Sequence, residues 1–120
     1  DPTRKYKLTV RLRVIEDDPV QNGARTYVGL ATYDRSGRIQ NSGVGAHRYG
    51  GMAGGNIKSE QGWVEVEGIF SGVGDEKHTQ FRPGTSFVRP ILILNNKFTV
   101  AQTEVASIIF AEYAEVSGGN

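Results

Sequence analysis

Glu65 and Glu67 stand two residues apart in an alternating stretch. On one strand their Cα atoms lie about 6.6 Å apart on a shared face. That suits a glycosidase carboxylate pair, which needs about 5 to 9.5 Å between carboxyls. A working acid–base pair also needs one carboxyl in an apolar setting that raises its pKa. The solvated face of a sheet normally carries alternating acids, so the pair reads as surface and no catalytic residue is assigned. His47 and His78 are the two histidines and have no zinc-type spacing. Asp17-Asp18 and Asp75-Glu76 offer oxygen ligands for a structural calcium, but no calcium-loop pattern surrounds them and paired acids at a strand end form turns. Gly50, Gly51, Gly54 and Gly55 do not lie between a strand and a helix, which fails the context of a dinucleotide fingerprint. Neither metal nor cofactor is expected.

Binding fits these residue types better than catalysis. Sugars present flat CH faces edged by hydroxyls, so their sites combine an aromatic platform with planar polar groups. His47, Arg48 and Tyr49 form such a cluster and run into a glycine-rich stretch with Asn56 beyond it. Trp63 and Arg82 complete the candidate carbohydrate-binding set. Each has a structural reading beside the functional one. Trp63, the sole tryptophan, starts a strand after Gly62 and is placed to cap a core. Arg82 precedes Pro83-Gly84 and is placed to brace the turn they make.

Composition limits the setting. A chain of 120 residues fits one domain, and at this size folding buries roughly 65% of the unfolded surface. With no cysteines, disulfides and Cys-based zinc sites are excluded. Fourteen basic and thirteen acidic residues are interleaved, giving a net charge of +1 without the basic face a nucleic-acid binder needs. No apolar run reaches the ~18 residues that cross a membrane, so no membrane insertion is expected. The start at Asp1-Pro2, with no initiator methionine, suggests a piece of a longer protein, and Ser117-Gly118-Gly119-Asn120 reads as a frayed end.

The elements that must position these residues are strands. Alternation over Lys5 to Glu16 puts Tyr6, Leu8, Val10, Leu12 and Val14 on one face and Lys7, Thr9, Arg11 and Arg13 on the other. Arg25 to Tyr33 is apolar on both faces and reads as a central strand. Arg38 to Val44 is a weaker strand, and His47 to Asn56 reads as a long loop because of its four glycines. Trp63 to Phe70 is the next strand. Phe81 to Thr85 is a Pro-Gly turn delivering Phe87 to Leu94 as a central core strand. Glu104 to Val116 has Ala106, Ile108 and Phe110 on one face, while Val105, Ile109 and Tyr113 on the other need a partner. Short strands separated by turn signals predict an all-β antiparallel β-sandwich in which the first and last strands pair.

Four strings carry a resemblance: Tyr27-Val28-Gly29-Leu30-Ala31-Thr32-Tyr33-Asp34, His47-Arg48-Tyr49, Gly62-Trp63, and Phe81-Arg82-Pro83-Gly84-Thr85 with Val88-Arg89-Pro90. Together they resemble the carbohydrate-binding-module-like jelly-roll domains of bacteriophage tail fibres and tail-tip proteins. The resemblance implies a C-terminal fibre domain on the virion, a homotrimer that contacts host surface polysaccharide without catalysis. The alternatives are a structural domain that trimerises and ends the fibre, and a polysaccharide-degrading enzyme using Glu65 and Glu67.

Overall fold

Period-two hydrophobicity decides where the first sheet lies. In the computed structural model, which describes residues 1–20, 22–40, 47–52 (as backbone), 56–95 and 100–114, β1 spans Tyr6–Glu16. Leu8, Val10, Leu12 and Val14 are buried on its inner face, and Arg11 and Arg13 are exposed on the other. β1 pairs antiparallel with β4 (Val64–Phe70) on one side and β6 (Gln102–Glu112) on the other, giving the order β4–β1–β6. The first and last strands are therefore neighbours, as their lengths and patterns predict.

The second sheet has the order β3–β2–β5, with β2 at Tyr27–Tyr33, β3 at His47–Met52 and β5 at Phe87–Ile93. Residues 28–32 of β2 are all buried, which confirms a central strand. Two antiparallel sheets thus enclose a core of β1 residues with Val28, Leu30, Val66, Phe70, Ile57 and Phe81. The all-β sandwich expected from the sequence is the fold observed.

Three expectations are corrected. His47–Met52 is strand and not loop. Its register with β2 passes from Val28–Gly51 to Leu30–Arg48, so Tyr49 and Gly50 oppose Gly29 in a bulge. Glycine is tolerated in a strand at such a point, which propensity alone does not reveal. Residues 41–46 and 53–55, including most of the weak Arg38–Val44 strand, lie outside the described residues.

β5 is an edge strand, not a central core strand, and Phe87 on it is 59% exposed. Pro90 gives the reason: a residue without an N–H cannot serve two ladders, so it belongs where one side has no partner. In β6, the register passes from Arg11–Ser107 to Leu12–Val105, skipping Ala106. That bulge switches the inward parity. Val105 then packs on the core alongside Phe110, although strict alternation puts them on opposite faces.

One edge of the sandwich is closed and the other is not. β3 lies beside β4. On the opposite side a cleft of about 170 Å³ is lined by Val88 of β5, Phe110 of β6, Tyr6, Phe81, Thr85 and Ser86, with the N-terminal Asp1 and Pro2. Tyr6 sits edge-on to Phe81 and stacks on Phe110, each at 5.6 Å between ring centroids. Phe70 lies 6.4 Å from both phenylalanines. Such aromatic pairs contribute about 0.5–1.5 kcal/mol each beyond area burial.

Candidate functional site on the outer face of the first sheet

The site begins with a clasp that fixes where Trp63 enters the sheet. Beyond β1, the Asp17 carboxylate accepts the backbone N–H of Ser59 at 2.8 Å and also the Ser59 hydroxyl. These bonds anchor the 3₁₀ turn Ser59–Gln61, whose start is closed by the Lys58 N–H donating to Gln61 Oε1 at 2.7 Å. Gly62 follows at φ 66°, ψ −144°, a conformation that only glycine adopts without strain. Trp63 is thereby delivered at the head of β4. Hydrogen bonding holds the Asp17 carboxyl below the ordinary 3.8, the Ser59 side chain contributing most and its backbone N–H next.

Strand register then builds the surface around the indole. Glu65 pairs with Arg11, Glu67 with Thr9 and Ile69 with Lys7. On the other side of β1, Arg13 pairs with Glu104, Arg11 with Ser107 and Thr9 with Ile109. Inner-face residues are buried, so these outer-face residues share one solvent-facing surface. Trp63 is 39% exposed. The Arg13 guanidinium lies 4.7 Å and that of Arg11 5.3 Å from its centroid, within cation–π range. At the far end of the face Lys7 lies 4.7 Å from the Tyr113 ring.

The charges on this face are mostly spoken for. Arg13 Nε donates to Glu104 Oε2 at 2.9 Å, and Lys7 lies 3.5 Å from Glu67. Arg11 and Glu65 differ: they are register neighbours, yet neither forms an ion pair among the described residues. Glu65 and Glu67 are both exposed, not set in an apolar pocket. The surface therefore offers a partly exposed indole with the Arg11 and Arg13 guanidinium groups over its ring and the Glu65 carboxylate next along the strand.

The six predicted site residues do not converge. His47 and Arg48 take register positions opposite Ala31 and Leu30 in the other sheet, and Tyr49 falls in the bulge; the side chains of all three lie outside the described residues. Asn56 is half-buried next to Ile57, whose backbone bridges Ala24, and lies close to Gly23. Arg82 is only 2% exposed and cannot meet a glycan. Its Nη1 donates to the Gln40 carbonyl at 3.0 Å and its Nε lies 3.8 Å from Asp75. The Thr85 N–H closes the turn onto the Arg82 carbonyl at 3.1 Å, with Gly84 at φ 83° as a type II turn requires. Arg82 braces the Pro-Gly turn.

Trp63 and Arg82 are also far apart. Arg82 follows Phe81, which contacts Tyr6 at the start of β1, whereas Trp63 lies by Arg13. Seven residues of strand separate those levels, about 23 Å.

Sequence reasoning overlooked Arg11 and Arg13 as site residues. Their alternation marked the solvent face, but nothing local showed that β4 would lie beside them. A second groove, of about 320 Å³, is lined by Tyr33, Gly37, Phe87, Val88 and Arg89, with Arg89 5.4 Å from the Tyr33 ring. Neither a family model, nor a curated protein, nor a solved structure matches the chain.

Proposed function

We propose that this chain is a non-catalytic glycan-recognition module: the distal receptor-binding domain of a phage tail fibre, directed at polysaccharide on the host surface. The observation that carries the reading is Trp63, a half-exposed indole set among guanidinium and carboxylate groups on a solvent-facing sheet. Aromatic platforms with planar polar neighbours are the chemistry by which proteins hold sugar faces. The resemblance to tail-fibre domains supports the virion setting and the jelly-roll form of the sandwich. Binding to immobilised bacterial surface polysaccharides tests the proposal. Saturable binding by the intact chain, lost in Trp63→Ala at unchanged melting temperature, is the expected result. Undiminished binding by Trp63→Ala, or none to any polysaccharide or to bacterial cells, overturns it.

A second reading, a structural domain that trimerises and ends the fibre, is favoured by a different observation. Phe87, Ile93, Leu94, Val100, Ile108 and Ile109 are all substantially exposed on or next to the edge strands β5 and β6, with Ile109 at 57%. Exposed apolar residues on edge strands are where a second chain can add or pack. Val105 no longer counts toward that surface, because the β6 bulge turns it onto the core. Light scattering at micromolar concentration decides between trimer and monomer. A trimer dissociated by Ile109→Lys supports this reading, and a monomeric wild type removes it.

A further inference from the structure

Resting on the glycan-recognition reading, we propose that the Trp63 face takes an uncharged sugar bearing adjacent hydroxyls, with Arg11 donating and Glu65 accepting. The charge on the face leads there. Between the levels of Lys7 and Arg13 the outer surface carries three cations, Lys7, Arg11 and Arg13, and three carboxylates, Glu65, Glu67 and Glu104. Two of each are committed to one another, as Lys7 with Glu67 and Arg13 with Glu104.

Among the described residues one group of each sign is left, Arg11 and Glu65, adjacent across the β1–β4 ladder and next to the indole. A guanidinium offers donors only and an ionised carboxylate acceptors only. Neighbouring sugar hydroxyls, each both donor and acceptor, satisfy the two at once. A uronate or other acidic sugar satisfies Arg11 but brings its own charge against Glu65. With Arg11 and Glu65 adjacent on a face of no net charge, attraction and repulsion largely cancel, and the hydroxyl that Glu65 would accept from is lost. A neutral ligand gains from both groups, and its binding carries little dependence on salt because no net charge is neutralised.

The sole tryptophan makes the test selective, since emission excited at the red edge, where the five tyrosines do not absorb, reports on this face alone. The intact chain is titrated with hexose hexamers of gluco, manno and galacto type, and with the corresponding uronate hexamers. Each titration is run at about 20 mM and about 500 mM NaCl, which spans strong to weak screening.

The expected result is saturable quenching or shift with a neutral hexamer. Its affinity changes less than about twofold between the two salts. The matching uronate binds at least roughly tenfold more weakly. Glu65→Gln and Arg11→Gln each weaken neutral binding roughly tenfold, and Glu65→Gln narrows the gap to the uronate. Tighter binding of the uronate, weakening with salt, overturns this inference and leaves glycan recognition standing. Neutral binding unchanged in both variants, while Trp63→Ala abolishes it, also overturns the inference alone. No response of Trp63 to any hexamer of either kind overturns it together with the reading beneath. Thermal melts of each variant confirm folding, and Arg11→Lys, which keeps the charge but not the planar fork, separates geometry from charge.

Discussion

Single residues in this molecule divide sharply between scaffold and surface, and Arg82 shows how misleading composition can be. A planar cation beside a proline–glycine turn suits a sugar site, yet its guanidinium is enclosed and spent on Gln40 and Asp75. Arg82→Met is expected to destabilise the fold by about 2–3 kcal/mol, from lost charge-assisted hydrogen bonding to buried groups. The figure stays below that of a fully enclosed pair because Asp75 is 40% exposed. Chemical denaturation measures this, and polysaccharide binding under native conditions should not change. Thr26 and Thr32 give the opposite case. Both are fully buried, and among the described residues neither hydroxyl has a hydrogen-bond partner. Each hydroxyl is desolvated without return, so Thr26→Val or Thr32→Val should stabilise by about 1 kcal/mol in the same assay.

At the scale of elements, the Asp17–Ser59 clasp ties the end of β1 to the turn that presents Trp63. Asp17 titrates lower when folded than when unfolded. Its contribution is therefore complete above the ordinary carboxylate value of 3.8 and is lost as pH falls through the lower, folded value. Asp34 behaves likewise, held down chiefly by the Ser36 hydroxyl and then by the Arg38 N–H. Melting temperatures taken from pH 7 to pH 2 should fall more steeply below about pH 4 for the wild type than for Ser59→Ala.

How legible these elements were depended on how local their determinants are. The alternation of Leu8, Val10, Leu12 and Val14 named β1 and its buried face outright, and the two apolar faces of β2 named a central strand. The β3 and β6 bulges were invisible. Each is a mismatch between two strands and leaves no periodic trace in either one. Pro90, by contrast, was a readable sign that β5 lies at an edge. The Trp63–Arg11–Glu65 grouping could not be read, since it depends on the β1–β4 register across the intervening residues 17–63.

For the whole molecule, the asymmetry of the two margins matters most. β3 and β4 lie together along one margin, whereas Val88 and Phe110 face one another across a cleft on the other. The two sheets resemble a book bound along one spine. Motions that part them are expected to pivot at β3–β4 and to be largest at β5–β6, neither of which has a buried inner-face residue, whereas β4 buries Val66 and Phe70. Backbone amides should record this as a gradient of hydrogen exchange, slowest in the middle strands β1 and β2 and fastest along β5 and β6. Uniform protection in all four strands would mean that the sheets do not part about that spine. If the gradient holds, a second chain seated on the open margin acts as a fastener, and assembly and rigidity become one measurable quantity: the slowing of exchange in β5 and β6 as protein concentration rises.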